Sequence, residues 1–176
     1  MATRVAALRA TKRVGLLALF KEAAVKQAEL DSYSVGFTVA PRINAMGRLE
    51  YAMDSLRLLC TNNKKRADTL ALLLGSTNRE RQELTFATFS NSKVKIQNSK
   101  LQFKNKKLLF IADKSYEQGI IGLVAGKLVE EFYKPSIVVS VGAKYSKASA
   151  RSVSGFNIIE FIRSASEMLV DAGGHP

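Results

Sequence analysis

Apolar residues recur at helical spacing through the first half of the chain and give way to short continuous runs in the second. Leu16, Leu17, Leu19 and Phe20 form one apolar face with Lys12, Arg13 and Lys21 outside it, which predicts an amphipathic helix. The stretch SYSVGFTVAPRINAMGRLE, residues 32–50, is punctuated by Pro41 and Gly47. It predicts a helix that stops before the proline and a loop that carries Arg42 and Arg48. YAMDSLRLLC reads as another helix. From residue 63 to residue 91 a stripe of Leu70, Leu73, Leu74 and Leu84 predicts one long helix, with the charged stretch NRERQE, 78–83, inside it. Gly75 costs that helix about 1 kcal/mol relative to alanine, so it marks the place for a bend or break.

The rhythm then changes. Between Leu84 and Ala112 there is no acidic residue, whereas Lys93, Lys95, Lys100, Lys104, Lys106 and Lys107 are all basic. Such a run reads either as a solvated linker or as a phosphate-facing track. KLLFIA (107–112), PSIVVSV (135–141) and YSKASARS (145–152) read as strands, the last two joined through a turn at Gly142. GIIGLVAGKLVEEFY (119–133) and NIIEFIRSASEMLV (157–170) read as helices, the first with Ile121, Val124, Leu128 and Phe132 on one side. Strand, helix, strand, strand, helix predicts an α/β fold with a mixed sheet flanked by helices.

Charge narrows the class of partner. The 176 residues, enough for one domain or two small ones, carry 27 Lys and Arg against 15 Asp and Glu, a formal net charge of +12. That balance favours a polyanion, nucleic acid first and an anionic membrane surface second. Cys60 is the single cysteine, so no disulfide framework is possible, which suits a reducing cytoplasm. In the run SLRLLC it reads as a buried, inert thiol. With one histidine and no CxxC, no zinc site is legible. No apolar run approaches the roughly 20 residues of a membrane span. KRVGLLALF is too short for a signal peptide and is followed at once by Lys21 and Glu22. A cytoplasmic protein with no membrane association is expected.

Four patches bear candidate chemistry. PRINAMGRL offers Arg42, Asn44 and Arg48, and arginine forks grip phosphate oxygens in bidentate fashion. SYEQGIIG joins a strand to a helix and is either an anion-binding helix start or a plain tight turn. KASARSVSGF sets Ser149, Arg151 and Ser152 near a strand end, either as a sugar–phosphate contact or as a polar edge. The closing Gly173, Gly174 and His175 form either a phosphate contact or a frayed end.

Taken in order, PRINAMGRL, NRERQE on a long helix, GIIGLVAGKLVEEFYKPSIVV, SARS…GF and GGHP resemble the RecJ family of single-stranded-DNA-specific exonucleases, in the DHH phosphoesterase superfamily. The likeness covers nearly the whole chain. It implies that residues 1–61 are the helical tail of a DHH domain, 62–97 a connecting helix and linker, and 98–176 a substrate-binding DHHA1 domain truncated at its C-terminus. It implies phosphate-binding roles for Arg42, Asn44, Arg48, Ser149, Arg151, Ser152, Gly173, Gly174 and His175. Arg79, Arg81 and Gln82 would touch DNA or brace the domains.

The family's reaction is Mn2+- or Mg2+-dependent hydrolysis of single-stranded DNA from its 5′ end, in repair and recombination. Its metal ligands are aspartates and a DHH histidine pair, upstream of the first residue here. This chain has no D-x-D or DHH, and its aspartates stand scattered at 31, 54, 68, 113 and 171. Tyr116 and Glu117 also replace the family's usual Trp-His pair. The expectation is a fragment that binds single-stranded DNA, holds no metal of its own and does not cleave alone. Two rivals are a stand-alone nucleic-acid-binding module and a small-molecule phosphoesterase relative, the second marked by a preference for dinucleotides over long strands.

Overall fold

The computed structural model describes residues 2–98 and 106–175, so Lys100 and Lys104 of the basic run lie outside the described residues. The chain divides into two compact units, Met1–Glu83 and Leu84–Pro176.

The first unit is helical. It contains α1 (Ala2–Arg9), α2 (Val14–Glu22), a 3₁₀ turn (Gln27–Glu29), a π-helical turn (Ser34–Val39), α3 (Ala40–Leu49), α4 (Met53–Cys60) and the first part of α5 (Lys64–Asn98). Leu19 and Phe20 of α2, Leu30, Val39, Met46 of α3, Leu58 of α4 and Ala67, Ala71 and Leu74 of α5 form its core. Burial on α2 falls on Gly15, Ala18, Leu19 and Phe20, while Leu17 is exposed.

Three expectations for this unit are corrected. PRINAMGRL is helix, not loop: Pro41 sits in the first turn of α3, which continues the π-helical turn without a break. A proline has no N–H to give and needs room at the carbonyl four residues back, and the wider turn before it supplies both conditions. Cys60 is exposed, because α4 turns Ser55 and Leu58 inward and its last residue falls on another side. The long helix neither breaks at Gly75 nor ends near residue 91, but runs from Lys64 to Asn98.

The second unit adds to the end of α5 a three-stranded sheet of β1 (Leu109–Asp113), β2 (Ser136–Ser140) and β3 (Lys147–Arg151), with α6 (Ile121–Phe132), α7 (Ile158–Arg163) and a 3₁₀ turn (Ser166–Met168). The strand order is β1-β2-β3, with β1 parallel and β3 antiparallel to the central strand. Every residue of β2 is buried, as a strand covered on both faces requires. Ile137 and Val139 pack with Ala150 against Ile158 and Ile162 of α7. Ile121, Val124 and Leu128 of α6 are buried, and α6 packs on β2 and β3.

α7 is shorter than the predicted 157–170. Asn157 caps it by accepting the Glu160 N–H, but Met168, Leu169 and Val170 are exposed, leaving no apolar face to sustain more turns.

Part of the basic run is helix rather than linker. Residues 93–98 are the last turns of α5. Lys93 pairs with Glu131 of α6 at 3.2 Å, and Lys95 pairs with Asp113 of β1. Their partners lie far along the chain, so a local charge count sees only lysines.

Candidate functional site

In the first unit, α3 presents two faces. Arg42 shares the inner one with buried Ala45 and Met46, at i, i+3 and i+4; Asn44 and Arg48 share the exposed one at i, i+4. Arg42 is engaged: its Nε donates to Glu22 Oε2 at 2.6 Å and its Nη1 to the Thr38 carbonyl at 2.7 Å. Arg79 Nη1 donates to the other oxygen, Glu22 Oε1, at 3.1 Å. One carboxylate, 7% exposed, therefore ties α2 to α3 and α5. Gly75 makes room for it, since a Cβ there would stand 1.8 Å from Glu22 Oε1.

Arg81 lies half-buried beside Arg48. Its Nε and Nη2 donate to Oδ1 of the buried Asn78 at 3.2 and 3.0 Å. Burial first, and then the positive charge of Arg48, push its guanidinium below the usual arginine range. The structure thus brings Arg48 and Arg81 together and places Gln82, which is exposed, one residue on.

In the second unit, β3 places Ser149 opposite Val138 and Arg151 opposite Ser136 of the central strand. Both side chains reach the first turn of α6. A Cβ on Gly122 would lie 2.9 Å from Ser149 Oγ and 3.5 Å from Arg151 Nη2, so glycine is what lets this helix start abut β3. No side chain caps that start. The result is a hydroxyl, a guanidinium and a helix N-terminus in one place, a set of donors suited to an anion.

Ser152 is otherwise occupied: its Oγ donates to the Phe156 carbonyl at 2.5 Å, closing the turn after β3. Gly173, Gly174 and His175 are exposed, and Gly174 lies against Ile159 of α7, whose Cδ1 would be 3.3 Å from an added Cβ.

Among the described residues no three of His, Cys, Asp and Glu come together. Nor, among the described residues, is any helix long and apolar enough to cross a membrane.

The DHHA1 domain model matches residues 105–176. The single-stranded-DNA-specific exonuclease RecJ of Bacillus subtilis (strain 168) is 34% identical over 171 residues, 96% of this chain and 21% of that protein. RecJ of Haemophilus influenzae is 31% identical over 170 residues, 93% of this chain and 29% of that protein. The crystal structure of Thermus thermophilus RecJ in complex with Mn2+ superposes with a TM-score of 0.81 at 30% identity, covering 97% of this chain and 24% of that one. The chain is of the RecJ type. It spans about a fifth of the length of the Bacillus relative. A second solved RecJ, bound to manganese, gives a TM-score of 0.76 at 30% identity and 97% coverage of this chain.

Several residues that build this RecJ-type chain escaped the sequence reading. Glu22 occupies position i+7 of the buried face made by Gly15, Ala18 and Leu19, and an acid on an apolar face was the available signal. Gly122 closes SYEQGIIG, which already offered an anion-binding helix start, but its contacts with Ser149 and Arg151 come from another element. Asp113 gave no local signal, because what it touches comes from other elements. Tyr116, noted only as a substitution, is 3% exposed, donates to Asn91 Oδ1 at 2.9 Å and shares a 3.0 Å hydrogen bond with Ser92 Oγ, docking the end of α5.

Proposed function

We propose that this chain is the DNA-gripping part of a metal-dependent exonuclease that hydrolyses single-stranded DNA from the 5′ end, in repair and recombination in the cytoplasm. Residues 1–61 then act as DHH-domain tail, 62–97 as connector and 98–176 as DHHA1 domain. Mn2+ or Mg2+, the ions in the solved Thermus thermophilus RecJ complexes, is held in this reading by residues that the chain does not supply. The chain alone binds single-stranded DNA weakly and leaves it uncut.

The observation that carries this reading is the meeting of Ser149, Arg151 and the α6 start over Gly122. A phosphate there takes the Ser149 hydroxyl, the Arg151 fork and the N–H groups of the turn, with Gly173, Gly174 and His175 as further contacts. Arg48, Arg81 and Asn44 take backbone phosphates on the first unit, while Arg42 and Arg79 act through Glu22 to fix the helices that carry them. The similarity to RecJ along 96% of the chain supports single-stranded DNA as the polyanion.

The test is a binding and cleavage assay on the purified chain with a labelled single-stranded oligonucleotide. Arg151→Ala is expected to lower affinity about tenfold, as loss of a charge-assisted contact does. Neither protein should release nucleotides with Mn2+ present. Release by the chain alone, or undiminished binding by Arg151→Ala, would refute the corresponding half of the proposal.

A further inference from the structure

Tyr33 and Phe37 stack on each other at the surface of the first unit. Their ring centroids are 4.7 Å apart and their planes 24° from parallel. Yet Tyr33 is 67% exposed and Phe37 72% exposed. The core contacts of this segment are made by Val35 and Val39 instead. The pair lies in and beside the π-helical turn Ser34–Val39, a conformation that recurs at functional sites. Gly36, between the rings in sequence, leaves the surface open, and a Cβ there would meet nothing within 4 Å. Asp31 anchors the segment: its carboxylate accepts the Ser34 N–H at 2.6 Å and the Ser34 hydroxyl at 2.5 Å.

The same helix continues unbroken through residue 49. Asn44 and Arg48 lie further along it and, like the rings, are exposed. From Phe37 to Arg48 is about 16 Å at 1.5 Å per residue, a few nucleotides of an extended strand. We infer that Tyr33 and Phe37 form a stacking platform for bases of single-stranded DNA whose backbone Arg48 holds. This rests on the single-stranded-DNA reading above and adds to it a contact with bases rather than phosphates. A π-face accepts any base, so the platform is sequence-tolerant. The net charge of +12 draws a polyanion to it. Beyond the half-buried Ala40 and Pro41, the exposed positions of the helix are Asn44, Gly47 and Arg48, which fits a base with its phosphate rather than an apolar protein face.

The chain contains no tryptophan, so Phe37→Trp introduces a single tryptophan at the platform, whose emission can be excited selectively over that of the five tyrosines. Oligodeoxythymidylate is expected to quench it, and an abasic strand of equal length is not. Phe37→Ala should weaken oligodeoxythymidylate binding roughly five- to a hundredfold, the range for losing one base–aromatic stack. Its affinity for the abasic strand should be unchanged, which also shows that it is folded. Arg48→Ala should weaken both strands. If Phe37→Ala binds oligodeoxythymidylate like the unaltered chain while Arg48→Ala does not, the platform is overturned and the DNA reading stands. The rings would then serve a protein contact. If the unaltered chain binds neither strand, the DNA reading fails and the platform falls with it.

Discussion

At the scale of single residues, the first unit turns on one carboxylate. The Glu22 side chain, 7% exposed, binds Arg42, itself 17% exposed, on one oxygen and the more exposed Arg79 on the other. Removing one partner of a buried ion pair costs about 3–5 kcal/mol, because the other charge is left without compensation. Glu22→Ala is therefore expected to destabilise the chain by about 3 kcal/mol, most of it through Arg42, since exposed pairs contribute little. Gly75→Ala tests the same contact from the opposite side. In an isolated helix that change gains about 1 kcal/mol. Here the added methyl would force the Glu22 carboxylate off its arginines, so a net loss of about 1–2 kcal/mol is expected. With Glu22→Ala already present the clash is gone, and Gly75→Ala should become stabilising. Urea unfolding of the four proteins measures the coupling. Equal losses from Gly75→Ala in both backgrounds would remove Glu22 from the explanation.

At the scale of elements, the end of α5 is held to its own unit by Tyr116, Asp113 and Lys95. Burial alone would lower the Lys95 ammonium, but hydrogen bonding to Asp113 and its other neighbours raise it on balance. Asp113 is pushed well below the usual carboxylate range by Lys95 first, and then by the N–H and hydroxyl of Ser115. A carboxyl depressed on folding stabilises fully above its unfolded value of about 3.9 and loses that contribution as pH falls below it. Unfolding at pH 7 and pH 3 should show a fall that Asp113→Asn flattens. Tyr116→Phe should cost about 1 kcal/mol at both, the worth of an ordinary hydrogen bond.

These contacts also show what local patterns carry. The order β1-α6-β2-β3-α7 was legible because β2 is a continuous apolar run and α6 a clean helical stripe. Pro41 misled, since a π-turn let the helix pass it. The lysines at 93 and 95 misled because Glu131 and Asp113 complete them from other elements. The candidate anion site was half legible: Arg151 and Ser149 stood out as residue types, but only the fold put Gly122 beneath them.

At the scale of the whole molecule, the net charge of +12 sets attraction but overstates the grip. Arg42, Lys93 and Lys95 are held in internal ion pairs, and in the proposed function they neutralise no phosphate. The salt dependence of binding separates the two classes. For a single strand, each neutralised phosphate adds about 0.7 to the slope of log K against log salt concentration. Arg48→Ala and Arg151→Ala should each lower the slope by about 0.7, and the double variant by the sum, since they act on different phosphates. Lys93→Ala removes the same formal charge and should leave the slope unchanged. Long-range attraction by net charge alone would make all three substitutions equivalent. Affinity measured across a salt series, with all variants on one oligonucleotide, distinguishes them: equal slope changes would mean that binding follows total charge, and that the cluster around Gly122 is a packing arrangement and no phosphate site.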